Sequence, residues 1–258
     1  MGTILITNDD GIHSPGITAL QDALSPLGRV VVVAPDRDNS AISHALTMNR
    51  PLRLTRLEED IYTIDGTPTD CVSIGLSKVL DRPPDLLVSG INNGPNIGDD
   101  ITYSGTVSAA IEGTMYSVAS MAVSIAGEPP FTYTEGKAII LELARRVMQG
   151  GLPANTLMNV NIPAASPING IRVTRQGRRI WKQAVQEVAD PRGRVHYWIG
   201  GGTALFDSGK DTDVLAVSEN FVSISPIHLD LTNHEGISYF KEDLGLESLL
   251  ADSNAEND

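Results

Sequence analysis

Five short, almost wholly apolar runs recur along the N-terminal part of the chain: "TILIT", "RVVVVAP", "PDLLVSG", "VASMAVSI" and "LMNVNIP". Each has the length of one strand, and unbroken apolar character marks strands buried on both faces. Between them lie amphipathic stretches. In "SPGITALQDALSPLG", Ser14 can cap, Pro15 suits a first helical position, and Ile17, Leu20, Leu24 and Leu27 share one helical face. "TPTDCVSIGLSKVL" (67–80), "SGTVSAAIEGTMYS" (104–117) and "TEGKAIILELARRVMQG" read as three more helices, and "RPLRLTRL" and "IYTID" as strands of a less regular excursion. Alternating buried strands and covering helices predict an α/β fold with a doubly wound, mostly parallel, Rossmann-like sheet.

From about residue 165 the texture changes. "GIRVTRQ", "RRIWKQAVQEV" and "RVHYWIGG" predict strands of a hairpin region, with a turn at "ADPRGR". "TDVLAVSENFVSISPIHLDLT" predicts a short helix and another strand, and the acidic "ADSNAEND" (251–258) a disordered tail. No repeat or low-complexity linker divides the chain. It is therefore read as one domain over 1–258, with a core over 1–165 and an extension over 166–250.

A formal net charge of −13 argues against binding nucleic acid or an anionic membrane. An anionic substrate would need local help, such as a bound cation. No run reaches the roughly 18 apolar residues of a membrane span, and no basic-then-apolar leader opens the sequence, so the expected location is cytoplasmic. The single cysteine, Cys71, rules out an internal disulfide and reads as a small buried helix residue.

Ligands of open parallel sheets bind beyond the carboxyl ends of the strands, near the reversal of strand order. The loops expected there are "NDDG" after the first strand, "PDRDNS" (35–40) after the second and "GINNGPNIGDD" (90–100) after "DLLVS", all rich in oxygen donors. Asp9 and Asp10 could merely cap a turn. Alternatively they form a charged site, since adjacent carboxylates repel unless one is protonated or a cation lies between them. Gly11 gives the backbone freedom to bring them together. Oxygen donors without clustered Cys or His select Mg²⁺ or Mn²⁺ before Zn²⁺. Ser104, Gly105 and Thr106 open a helix, where N–H groups and hydroxyls can either cap or seat a phosphate. P-loop, dinucleotide and G-x-S-x-G patterns are absent, and "GGG" (200–202) reads as a turn. His13, His44, His228 and His234 each read as surface or hydrogen-bonded residues.

Six ordered motifs, "TNDDG", "APDRDNS", "GTPTDCV", "SGINNGPNIG", "YSGTVSAAIEG" and "VSISPIHLDLT", resemble those of the survival protein SurE family of metal-dependent phosphatases, also described as 5'/3'-nucleotidases. The resemblance covers nearly the whole chain. It implies a three-layer α/β/α core with an extended C-terminal β-hairpin and tail, exchanged between subunits of a homodimer or homotetramer. It implies one divalent cation per subunit, Mg²⁺ or Mn²⁺, on Asp9, Asp10, Ser40 and Asn92. Asn96, with Ser104, Gly105 and Thr106, would line the phosphate side. The implied reaction is hydrolysis of nucleoside 5'- and 3'-monophosphates, with short polyphosphate as a further substrate. Other readings are a non-catalytic, metal-dependent nucleotide sensor and an Asp-nucleophile phosphatase, although the latter type uses Asp-x-Asp rather than adjacent aspartates. Two positions depart from the family pattern: Ser40-Ala41 replaces Ser-Gly, and Ser225 replaces a threonine. Alanine fits the first only if the backbone there tolerates a Cβ.

Overall fold

The computed structural model describes residues 2–127, 129–182, 185–200, 203–206 and 209–248. In chain order the first half contains β1 (Gly2–Thr7), α1 (Pro15–Leu24), β2 (Gly28–Pro35), β3 (Leu54–Glu58), β4 (Ile61–Ile64), α2 (Pro68–Ile74), β5 (Leu86–Asn93), α3 (Gly105–Met115), β6 (Ser120–Ala126), α4 (Thr134–Gly150) and β7 (Thr156–Pro163). Then come β8 (Ile171–Val173), β9 (Arg179–Lys182), β10 (Val185–Ala189), β11 (Val195–Ile199), β12 (Thr203–Phe206), α5 (Asp213–Ser218), β13 (Val222–His228) and α6 (His234–Ser238). The chain divides into two compact units, Met1–Ile227 and His228–Asp258. Among the described residues no helix is long and apolar enough to cross a membrane.

Nine strands form one sheet in the order β3-β4-β2-β1-β5-β6-β7-β13-β8. Pairing is parallel from β4 through β2, β1, β5 and β6 to β7, and antiparallel at the β3–β4 edge. Side chains of a strand alternate between faces, and β1 shows the result. Ile4 and Ile6 join the core cluster shared with Leu20 and Leu24 of α1 and Ile140 and Leu143 of α4. Leu5 joins the opposite cluster with Cys71 and Val72 of α2 and Ala109 of α3. Helices thus cover both faces in a three-layer α/β/α arrangement. Cys71 is fully buried, as its setting in an apolar helix face predicts.

The helix starts follow the sequence signals. Ser14 accepts from Ile17 N at the head of α1, and Thr67 and Asp70 form a reciprocal capping box at the head of α2. The helix expected over 67–80 changes character midway: α-helix ends at Ile74 and a wider π turn runs over Gly75–Val79. The expected strand "RRIWKQAVQEV" contains two paired segments, β9 with β12 and β10 with β11, both antiparallel. The hairpin turns where "ADPRGR" predicts, with Gly193 N donating to Asp190 O at 2.9 Å. The expected turn at 200–202 and the acidic tail at 251–258 lie largely or wholly outside the described residues.

Candidate functional site

After β1 the chain crosses to β2 on one side, and it later returns to place β5 on the other side of β1. Strand order therefore reverses at the carboxyl ends of β1 and β5, the position at which such sheets bind ligands. Asp9 and Asp10 follow β1, while Asn92 and Asn93 end β5. Sequence composition suggests that the strand stops at Gly90. Instead β5 resumes after an irregularity and pairs Asn92 with Ser124 and Asn93 with Ile125. Gly and Asn have low strand propensity, but the continuing edge of β6 supplies backbone partners, and that pairing prevails.

Asp9 is buried, at 5% exposure, and is held by the start of α3. Thr106 donates its hydroxyl to Asp9 Oδ1 at 2.6 Å and its backbone N–H to Oδ2 at 3.2 Å. Gly105 permits this approach: a Cβ there would lie 2.8 Å from Asp9 Cβ and 3.0 Å from Oδ2. Ser104 caps the helix by accepting from Val107 N at 3.0 Å. Thr106 and Val107 therefore spend their N–H groups within the protein. At this helix start the Gly105 N–H remains as a donor without a protein acceptor among the described residues.

Asp10 is half-buried and accepts one hydrogen bond, from Asn93 Nδ2 to Oδ2 at 3.2 Å. Gly11, at φ +92°, turns the chain away immediately afterwards. Burial pushes the Asp10 carboxyl up to about 6, and the charges of Asp9 and Asp38 add to the effect against hydrogen bonding from the Asn93 backbone. Burial also raises Asp9 above the usual carboxylate range despite the hydrogen bonds from Thr106. None of the groups acting on either carboxylate is basic. The site is a concentration of negative charge without a counter-ion among the described residues.

The loop after β2 reaches the same corner. Asn39 N donates to Asp9 O at 2.8 Å, and Asp38 Oδ1 accepts from Ser40 N at 2.7 Å and from Ser40 Oγ at 2.6 Å. Ala41 has φ +57°, so alanine occupies the left-handed conformation for which the family pattern supplies glycine. The loop continues to Ser43, whose N and Oγ donate to Tyr103 O and Thr102 O just ahead of α3. His44 Nε2 meets Glu112 Oε2 at 2.9 Å, and Ser73 donates to Glu112 Oε1 at 2.6 Å.

Asn92 donates through Nδ2 to Gly94 O at 2.8 Å, so Oδ1 is the end of its amide left for a ligand. Asn96 is nearly fully buried within a polar cluster. Its N–H donates to Asn161 Oδ1 at 2.8 Å, its carbonyl accepts from Asn159 Nδ2 at 2.9 Å and Asn161 Nδ2 at 3.0 Å, and its own Nδ2 donates to Ser124 Oγ at 2.8 Å. Asp38 and Asn93 escape a reading of residue types alone. Asp38 and Asn93 lie within the oxygen-rich loops, but nothing local distinguishes them from their neighbours. His234 pairs with Asp230 at 2.8 Å inside the second unit, and His44 is engaged by Glu112, so both are hydrogen-bonded residues as their settings predict.

The donor set fits a hard divalent cation: two carboxylates forced together, a serine hydroxyl and an asparagine oxygen. Among the described residues no three His, Cys, Asp or Glu side chains gather as a metal site. Neutral oxygens and water would therefore complete any ion's shell. Asp9, Asp10, Ser40 and Asn92 are the residues that could hold it.

The family model for survival protein SurE matches residues 4–183. A protein of Syntrophotalea carbinolica called 5'-nucleotidase SurE is 54% identical over 232 residues, covering 89% of this chain and 92% of its own. One of the same name from Pelobacter propionicus is 52% identical over 234 residues, covering 90% and 95%. The crystal structure of the SurE protein from Aquifex aeolicus superposes with a TM-score of 0.81 at 44% identity, over 93% of this chain and all of that one. Fold, motif order and these likenesses agree, and the chain belongs to the survival protein SurE family.

Proposed function

We propose that this protein is a divalent-metal-dependent phosphomonoesterase that hydrolyses nucleoside 5'-monophosphates to nucleoside and phosphate, with 3'-monophosphates and short polyphosphate as further substrates. The observation that carries the reading is the pair Asp9 and Asp10, at the switch point beside the start of α3 and without a basic partner among the described residues. The names of the two relatives support the nucleotide substrate.

One Mg²⁺ or Mn²⁺ ion, held by Asp9, Asp10, Ser40 and Asn92, would supply the Lewis acidity that phosphate-ester hydrolysis needs. Thr106 orients Asp9 and Asn93 orients Asp10. The Gly105 N–H and the Ser104 hydroxyl are offered to phosphoryl oxygens as charge builds on them. Four hydrogen bonds around Asn96 fix the loop between β5 and α3. In this reading water attacks phosphorus, the ester P–O bond breaks and the nucleoside hydroxyl leaves with a proton. Direct attack by Asp10 would instead form an aspartyl-phosphate that water then hydrolyses at phosphorus, and two successive displacements would retain the configuration at phosphorus where a single attack by water inverts it.

The reading includes a homodimer or homotetramer that exchanges C-terminal segments, in a cytoplasmic setting. The hairpin supports it: Val185, Tyr197, Trp198 and Ile199 are all more than half exposed, at 61%, 65%, 68% and 87%. The decisive experiment measures phosphate release from a panel of 5'- and 3'-nucleotides with Mn²⁺, with Mg²⁺ and with chelator. Metal-dependent release is expected. Nucleotide binding without release under any metal would make the protein a sensor instead.

A further inference from the structure

Asp9 and Asp10 are unequally supported. Asp9 receives two hydrogen bonds from Thr106, whereas Asp10 receives one from the Asn93 side chain. A carboxamide has a donor end and an acceptor end of nearly the same shape. Turned over, Asn93 would point its oxygen at a carboxylate and repel it. Its orientation therefore decides whether the amide adds to the hold that the Asn93 backbone has on Asp10 or works against it.

Tyr133 sets that orientation. Its hydroxyl donates to Asn93 Oδ1 at 2.6 Å, which turns Nδ2 toward Asp10 Oδ2. The tyrosine itself is anchored. Its ring packs against the main hydrophobic core, and its carbonyl accepts from Lys137 N at 3.0 Å at the head of α4. Asn93 is fixed by pairing with Ile125, and Gly94 N donates to Ile125 O at 3.0 Å. A rigid aromatic spacer thus links the core to the amide.

We propose that Tyr133 is a positioning residue that acts through Asn93 to hold Asp10 for cation binding. The inference rests on the reading of Asp10 as a metal ligand. Hydrogen-bond partners one step outside a metal's ligands orient those ligands, and losing one typically weakens metal affinity about 10- to 100-fold. Tyr133 reaches the ligand through an intermediate amide, so its effect belongs at the lower end of that range.

The test is Mn²⁺ titration calorimetry on full-length, chelator-stripped protein, comparing wild type, Tyr133→Phe, Asn93→Ala and the double variant. Phenylalanine keeps the ring against the core and removes the hydroxyl alone. Tyr133→Phe is expected to raise the Mn²⁺ Kd about tenfold while the metal-free melting temperature stays within about 2 °C. In the Asn93→Ala background the same change should alter Kd by less than about twofold, because the amide it orients is gone. Wild-type affinity in Tyr133→Phe overturns the proposal, as does an equal loss in both backgrounds. If wild type itself takes up no Mn²⁺, the metal reading of Asp9 and Asp10 falls first and this inference falls with it.

Discussion

Replacing Asp10 by asparagine should stabilise the metal-free protein while abolishing its response to metal. Burial and the neighbouring charge of Asp9 raise this carboxyl from 3.8 to about 6. A shift of that size corresponds to at most about 3 kcal/mol, and solvent access to this half-buried group reduces it to about 1–2 kcal/mol. The sign follows from the direction of the shift. A carboxyl raised in the folded state holds its proton more tightly there than in the unfolded chain. Its penalty is absent below the unfolded value, grows as pH climbs from about 4 to 6, and is constant above. The carboxamide introduced by D10N would keep an acceptor for Asn93 and carry no charge, so the variant should gain its full advantage at about pH 8 and little at about pH 4. For a chain of this length that gain is about 2–4 °C in melting temperature. Thermal melts of chelated wild type and D10N across this range test the size and the pH profile. Saturating Mn²⁺ should narrow or reverse the difference, since the wild type alone would gain stability from tight binding. A D10N protein less stable at every pH, or one with a pH-independent gain, would refute the claim that Asp10 is held against charge repulsion.

Three further changes probe the surroundings. Thr106→Val removes the 2.6 Å bond to buried Asp9; it should cost about 1.5–3 kcal/mol in denaturant melts and lower Mn²⁺-dependent phosphate release at least about tenfold. Ala41 has φ +57°. Ala41→Gly relieves about 1 kcal/mol of backbone strain but loosens the unfolded chain by a similar amount, so stability should be unchanged or rise by up to about 1 kcal/mol. Ala41→Val should lose about 1–2 kcal/mol, and equal denaturation midpoints for the two variants would contradict the left-handed assignment. Burial opposes the charge on Glu112, but hydrogen bonds from His44 and Ser73 outweigh it and hold the group below its usual range. Stability from a lowered carboxyl is present above the unfolded value of 4.5 and is lost as pH falls through the folded one. His44→Ala should therefore cost about 1–3 kcal/mol near neutrality, with a difference from wild type that shrinks in acid; a constant difference in melts across pH would count against it.

What can be read from residue types divides along physical lines. The strands are legible because burial on both faces leaves apolar runs, and the head of α1 because Ser14 and Pro15 do the same local work in any fold. Asp9 and Asp10 stand out as adjacent carboxylates in an oxygen-rich loop after a buried strand, although a capped turn uses the same residues, and Ser40 enters only through the resemblance to the SurE family. Asn92 reads as a loop residue because its neighbours disfavour strands, yet its conformation is decided by the edge of β6, which no local pattern reveals. Tyr133 is an isolated aromatic before a helix, and its role arises only when the fold brings it to Asn93. Asn159 and Asn161 differ in kind, because they do leave a signal. They occupy alternate positions in the otherwise apolar "LMNVNIP", so they share one face of a buried strand, and both are fully buried. Two buried amides on one face demand partners, and those partners prove to be the backbone groups of Asn96. A polar pair at period two in an apolar strand thus points to a segment that must be clamped from outside it, and here that segment is the loop that leads from Asn92 and Asn93 at the end of β5 to the start of α3.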